Sequence, residues 1–297
     1  MASKTIKINT RAGRMKLIIL REEGKRVEAK GSRGNSAREN QAIEKQKLPG
    51  ILWIHGGGYV LGMAGMVYMS IGKMLAKKFS AVVVSPAYRL AYKAPYPAAF
   101  EDCCDALLYM YEHADELGID PERIIVGGES AGGGLAAAVC LYARDTGRVP
   151  VMLQIPLYPM IDCEDTETSK DNHGHVWNTR RNHWGWRRYL KGLTKAAEGA
   201  AHHSAVETTT KDFIPKYASP ARETDYSNLP PCVTFVEDGE PFYAETLAYV
   251  ENLKKAGIDA KVQVYHGKTH AFDMLLPWTK NAKAAKRWLC RSVENYF

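Results

Sequence analysis

The stretch RIIVGGESAGGGLAAAVCLYAR, residues 123–144, decides how the chain is read. It opens on RIIV (123–126), a short β-branched run with the composition of a strand. It closes on LAAAVCLYAR (135–144), whose alanines and leucines favour a helix. Between them, five glycines crowd around a single serine, Ser130. Glycine loses more backbone freedom on folding than any other residue, so such density needs a reason. Alone, a Gly-rich run reads as a flexible turn. Here a strand must turn sharply into a helix, and that geometry has a chemical use. In the pattern G-x-S-x-G, here Gly128-Glu129-Ser130-Ala131-Gly132, the residues two before and two after the serine must be small, or their Cβ atoms collide. The strained turn pushes the serine hydroxyl out past the end of the sheet. The following helix aims its free N–H groups and positive dipole end at the same place, which favours a developing anion. Such a serine still needs a base, an acid and an oxyanion hole from elsewhere in the chain.

Composition sets the outer bounds. A chain of 297 residues suits one large α/β domain with an insertion, or two small domains. A hydrophobic share of 45% supplies an ample core and excludes global disorder. No apolar run approaches a membrane span, and the opening MASKTIKINTR lacks the apolar stretch of a signal peptide. The expectation is a cytoplasmic protein with no membrane partner. The six cysteines, at 103, 104, 140, 163, 232 and 290, form no C-x-x-C pair and no metal spacing, so reduced and mostly buried thiols are expected. The net charge of +7 comes from dispersed basic residues without a nucleic-acid-binding motif, so no nucleic-acid partner is expected.

Strands and helices alternate along most of the chain. TIKI and MKLIIL near the start read as an antiparallel hairpin joined by NTRAG. Residues 22–48 are charged, with few apolar anchors, and read as a mobile surface connection. ILWI (51–54) and AVVVS (81–85) read as strands, with YMSIGKMLAKKF (68–79) as a helix between them. A longer helix, PAAFEDCCDALLYMYEHADEL (97–117), has proline at its start. After the Ser130 unit come VMLQIPLY (151–158), strand CVTFVE (232–237), helix FYAETLAYVENLKKAG (242–257), strand KVQVYH (261–266) and a last helix from about 278. This βαβ series predicts an α/β fold, a mostly parallel central sheet with helices on both faces. The series breaks at 160–217, where helix-like fragments dominate. The domain reading is therefore a core over 1–159 and 218–297, with an inserted helical cap over 160–217.

The remaining machinery is spread along this frame. WIHGGGYVLG (53–62) leaves a strand with three consecutive glycines, which let backbone N–H groups point at a ligand. The expected oxyanion donors are the N–H groups of Gly57, Gly58 and Ala131. His55, at the end of the strand, reads as a brace for that loop. HGKTHAF (266–272) offers His266 and His270, and His270 lies in the loop between the last strand and last helix, where this chemistry places its base. His173, His175, His202 and His203 lie in the cap segment and lack a third ligand at metal spacing, so they read as surface residues and no metal is expected. Trp177, Trp184 and Trp186 from the cap segment, with Tyr59, Met63, Met66 and Met69 around the oxyanion loop, are candidates for an apolar substrate pocket, though core packing explains each equally well.

Taken together, HGGG, G-x-S-A-G-G, an acid-bearing loop and a late histidine resemble the hormone-sensitive-lipase branch of the α/β-hydrolases, which includes many bacterial carboxylesterases. The resemblance covers roughly residues 49–297, through YRLAYKAPYPAAFEDC, DPERIIVGGESAGGGLAAA, VWNTRRNHWGW and YASPAR. It implies an α/β-hydrolase fold and hydrolysis of a small-molecule ester through an acyl-serine, with no cofactor. Two features depart from the pattern. Glu129 stands where aspartate is more usual, and the N-terminal segment is short and polar, which predicts a pocket more open or closed by a neighbouring subunit in a homo-oligomer. The loop FVEDGEPFYAET (235–246) offers Glu237, Asp238 and Glu240 as the acid. The resemblance favours Glu240, just before the Pro-Phe pair, while strand parity leaves Asp238 open. Pro241 is expected to open the following helix, and Asp102 is assigned to structure. The expected reaction is hydrolysis of short-to-medium acyl esters by Ser130, His270 and Glu240. Another serine hydrolase (an arylformamidase or peptidase), a long-chain lipase, and a non-catalytic ligand-binding protein of the same fold remain as alternatives.

Overall fold

Alternate residues of the third strand point to opposite faces of one sheet, and that alternation organises the molecule. Leu52 and Ile54 enter one buried cluster with Val82, Val84, Ile124 and Val126. Ile51 and Trp53 enter the other with Val83, Ile125 and Leu153. A strand buried on both faces reads as a continuous apolar run, as these do. The computed structural model describes residues 1–22, 47–193 and 214–297.

Among the described residues, eight strands form one sheet: β1 (Ala2–Thr10), β2 (Gly13–Arg21), β3 (Leu48–Ile54), β4 (Val82–Pro86), β5 (Ile119–Glu129), β6 (Val151–Leu157), β7 (Cys232–Glu237) and β8 (Ala260–Tyr265). Their spatial order is β1-β2-β4-β3-β5-β6-β7-β8. The first two strands pair antiparallel with each other, and β2 pairs antiparallel with β4. All later pairings are parallel. The expected hairpin and mostly parallel sheet are both present. The expected mobile connection over 22–48 falls, for residues 23–46, outside the described residues.

Helices cover both faces. On the Leu52 face lie α2 (Ala98–Glu112) and α4 (Ala131–Thr146), with the short α3 (Ala114–Leu117) between them in sequence. On the Trp53 face lies α1 (Ile71–Phe79), started by the Ser70 side chain accepting from the Lys73 N–H. The chain adds α5 (Thr179–Tyr189), α6 (Tyr243–Lys255), α7 (Phe272–Leu275) and α8 (Lys280–Val293). Of these, α8 packs on the Trp53 face. Between β6 and β7, the described part of the expected cap contains α5, capped by the Asn178 side chain on the Arg181 N–H. The Tyr189 carbonyl at its end accepts from the Tyr96 N–H at 2.7 Å, which ties it to the loop before α2. Residues 194–213 of that segment, with His202 and His203, lie outside the described residues. Pro241 does not open α6: it lies in the turn before it, with Phe242 as the N-cap. No helix among the described residues is long and apolar enough to cross a membrane. The six cysteines are free thiols, five of them buried.

Asp102 holds the loop after β4 in place. Its carboxylate accepts from the Arg89 backbone N–H at 2.8 Å and from the Arg89 guanidinium at 2.9 Å on each oxygen. The carboxylate is buried while the Arg89 side chain is partly open to water. Replacing Asp102 with alanine leaves the partly buried Arg89 N–H without its acceptor and is expected to lower stability by about 1–3 kcal/mol. Urea unfolding of the variant checks this; a loss under ~0.5 kcal/mol, typical of a surface substitution, would contradict it.

Candidate active site

Ser130 sits in the one-residue gap between β5 and α4. Its backbone has φ 57° and ψ −122°, far from the regions a non-glycine residue normally occupies. The crowding expected around it is real. A Cβ on Gly128 would lie 2.5 Å from the Ile54 carbonyl, and one on Gly132 would lie 2.1 Å from the same oxygen. The Ser130 N–H donates to the Leu157 carbonyl at 3.0 Å, and its own carbonyl accepts from Gly134 and Met160, also at 3.0 Å. Strain at a residue persists only where its surroundings over-determine it, and here three strand ends do so.

The loops after β7 and β8 bring Glu240 and His270 to this serine. The Ser130 hydroxyl lies 2.8 Å from His270 Nε2. On the other edge of the ring, Nδ1 is hydrogen-bonded to Glu240 Oε2. A carboxylate can only accept, so Nδ1 carries the proton and Nε2 is left to accept from the serine. The three side chains are 6%, 4% and 0% exposed for Ser130, His270 and Glu240. Tyr158 and Phe242 pack edge-on against the imidazole, with ring centres 5.1 and 5.0 Å away. Burial pushes the Glu240 carboxyl up, and the neighbouring His270 opposes that shift.

The other two acids of the loop are committed elsewhere. Asp238 bonds His266 Nδ1 at 2.9 Å and accepts the Gly267 N–H at 3.1 Å. These contacts hold its carboxyl below the usual range. Glu237 accepts the Thr269 N–H at 2.8 Å and the Asn281 amide at 3.0 Å, and so braces the histidine loop from beneath.

The glycine loop passes beside the serine. A Cβ on Gly56 would lie 3.1 Å from Ser130 Cβ. Gly57 and Gly58 have φ of 120° and 59°, conformations that glycine adopts readily. Ala131 is the first residue of α4, where an N–H has no intrahelical acceptor. His55 does brace this loop. Its ring stacks on Tyr88 at 4.2 Å, its Nδ1 bonds the Gly56 carbonyl at 2.8 Å, and burial pushes its pKa down to about 4.

The residues expected to line a pocket divide. Trp177 lies over Gly58, where a Cβ would come within 2.1 Å of its ring, and 6.4 Å from the His270 ring. Trp184 is partly buried against the core, and Trp186 is buried beside Tyr59. Met63 is 69% exposed and faces solvent. Tyr59 departs most from expectation. It is 1% exposed, and its hydroxyl donates to the Met160 carbonyl at 2.5 Å, so it offers a substrate no surface. In the cap segment, the exposed His173 pairs with Asp171 at 3.0 Å. Among the described residues no cluster of three His, Cys, Asp or Glu side chains is arranged to hold a metal.

Two further acids, Glu129 and Asp273, are buried near the site, and no local sequence pattern marks their partners. Glu129 accepts from Trp53 Nε1 at 2.8 Å, and Asp273 accepts from the Tyr158 hydroxyl at 2.6 Å. Burial, reinforced by the charge of Asp273, pushes Glu129 up to about 8.

Residues 51–274 match the family described as alpha/beta hydrolase fold. The chain belongs to this family, and the resemblance to its hormone-sensitive-lipase branch is borne out. The AB hydrolase superfamily protein C1039.03 of Schizosaccharomyces pombe is 33% identical over 226 residues, which cover 75% of this chain and 62% of that one. Carboxylesterase NlhH of Mycobacterium tuberculosis is 30% identical over 234 residues, covering 77% of this chain and 68% of that one. This chain thus spans about two thirds of the length of these relatives. Among solved structures, the hyperthermophilic esterase from the archaeon Pyrobaculum calidifontis superposes with a TM-score of 0.78 at 28% identity, covering 99% of this chain and 83% of that one.

The high Glu129 value has a consequence for stability. Its folded-state pKa is above the ordinary 4.5, so between about pH 4.5 and pH 8 the unfolded chain has released a proton that the folded one keeps. Stability attributable to this group is therefore greatest below pH 4.5 and falls as pH rises towards 8. Glu129→Gln keeps an acceptor for Trp53 but cannot ionise. Its stability relative to wild type is expected to rise between pH 5 and pH 8, by up to about 4 kcal/mol. Chemical denaturation at the two pH values tests this; a pH-independent difference would contradict it.

Proposed function

We propose that this protein is a serine carboxylesterase acting on short-to-medium acyl esters. The observation that carries the reading is the hydrogen-bonded series Glu240–His270–Ser130, buried at the strand ends. The names of its relatives, carboxylesterase and esterase, support the same class. In this reading Ser130 Oγ attacks the ester carbonyl while His270 Nε2 takes its proton. Glu240 keeps Nδ1 protonated and stabilises the imidazolium that forms. The carbonyl oxygen becomes an oxyanion held by the N–H groups of Gly57, Gly58 and Ala131. Collapse expels the alcohol, protonated by His270, and leaves an acyl-serine. Water, deprotonated by the same histidine, releases the acid and restores the serine.

The proposed preference for short acyl groups rests on enclosure. The serine and histidine are nearly buried, and the Trp177 ring lies directly against the oxyanion loop. A series of p-nitrophenyl esters is expected to show kcat/KM highest at roughly two to eight acyl carbons, since each further methylene must find apolar room. Activity rising steeply on emulsified long-chain triglyceride would overturn that preference.

The acid assignment has a sharper test. Glu240→Gln is expected to lower kcat by roughly 10³–10⁴, because an amide neither fixes the imidazole tautomer nor supports its positive charge. Asp238→Asn, whose carboxylate serves His266 and Gly267, is expected to cost less than about tenfold. Both variants are assayed side by side on one short ester, after circular dichroism confirms their fold. A crippled Asp238→Asn beside a nearly normal Glu240→Gln would reverse the assignment.

A further inference from the structure

Three consecutive residues of the glycine loop have positive φ: Gly57 at 120°, Gly58 at 59° and Tyr59 at 64°. For the two glycines this is unremarkable. For a bulky residue it is an outlier that persists only when contacts enforce it. The contacts on Tyr59 come from every side. Its ring stacks on Tyr189 of α5 at 4.0 Å and 9°, and leans on Trp186 at 5.2 Å. Its carbonyl accepts from the Ala91 N–H at 2.8 Å. Its hydroxyl donates to the Met160 carbonyl at 2.5 Å.

Met160 completes the link. Its N–H donates to the Ser130 carbonyl at 3.0 Å. A continuous path therefore runs from Gly58 through the Tyr59 side chain and Met160 to the serine backbone. The packing leaves no slack: a Cβ on Gly134 of α4 would fall 2.3 Å from the Tyr59 hydroxyl and 2.0 Å from the Met160 carbonyl.

We propose that Tyr59 is a positioning residue: its clamped ring and its bond to Met160 hold the oxyanion loop in register with Ser130. This rests on the serine-esterase reading and adds to it a part that binds no substrate. An oxyanion donor is effective only within hydrogen-bond distance of the point where negative charge develops. A displacement of about 1 Å in such a site costs on the order of 10²-fold in rate. A residue that only sets this distance acts on the transition state and leaves substrate affinity alone.

Tyr59→Phe keeps the stack and removes the bond to Met160. It is expected to lower kcat by about tenfold or more with KM changed less than about threefold. Affinity for a trifluoromethyl ketone, which forms a tetrahedral oxyanion on the serine, is expected to fall in the same ratio as kcat. A residue serving stability alone would lower the melting temperature and leave both quantities unchanged in the folded variant. Wild-type kcat and ketone affinity in folded Tyr59→Phe would overturn the proposal, as would a raised KM with unchanged kcat, which marks a substrate contact. If Tyr59→Phe does not fold, Tyr189→Leu removes the stacking ring instead. It is then expected to show the same joint loss of kcat and ketone affinity, and unchanged values would overturn the proposal. Wild-type protein that binds no ketone and takes no fluorophosphonate would instead defeat the serine-esterase reading itself, and this inference with it.

Discussion

The first turn of α4 rests on the carbonyl groups that end β3, and the geometry of the site depends on that contact. The Ile54 carbonyl oxygen lies 2.5 Å from where a Cβ of Gly128 would be and 2.1 Å from where one of Gly132 would be, and the His55 carbonyl lies 2.5 Å from the latter. With both positions bare, helix and strand end can touch, and the residue between β5 and α4 is forced to φ 57°. The same closeness makes the loop leaving β3 run directly beside Ser130. One steric constraint therefore sets both the position of the serine at the end of β5 and the path of the glycine loop. A methyl group at either glycine would separate elements whose relative position the chemistry needs within fractions of an ångström.

Around that contact the protein has assembled a buried, acid-rich interior. Glu129, Glu240, Glu245 and Asp273 are all buried, and burial raises the pKa of each. Only Glu240 is bonded to the imidazole that faces the serine. Glu129, pushed up to about 8, is largely protonated at neutral pH and so adds little negative charge behind Ser130. Removing water strengthens whatever electrostatic interaction remains, which favours an imidazolium held by one carboxylate. The arrangement separates two kinds of buried acid: one bonded to the His270 imidazole, the others to aromatic or backbone donors such as Trp53, Tyr158 and the Asp162 N–H.

Much of this was legible in the sequence for local reasons. The elbow announces itself because its strand, turn and helix are contiguous, and the late histidine because it falls between the last strand and helix. The sheet could be read because buried parallel strands are continuous apolar runs. Glu240 was less accessible. Strand parity left Asp238 open, and only the spacing to the Pro-Phe pair favoured the later residue; the structure shows Asp238 turned to the exposed His266. The aromatic after the glycines was visible, but not that positive φ turns its ring inward to the core. Pairs such as Tyr158 with Asp273 and Glu237 with Asn281 join residues 115 and 44 positions apart, and no local pattern marks such partners. The tryptophans of residues 177–186 showed apolar character without direction, so their division between the glycine loop and the core had to come from the fold.

The central claim is that Ser130 carries the acyl group, and trapping that intermediate tests it most directly. Protein mixed with p-nitrophenyl acetate and quenched in acid within the first turnover can be weighed intact and then digested. The account predicts one acetyl group per chain, located on the peptide containing Ser130, appearing with a burst of p-nitrophenol and absent from Ser130→Ala. Turnover of the ester with no acetylated species, or with the acetyl group on another residue, would contradict it.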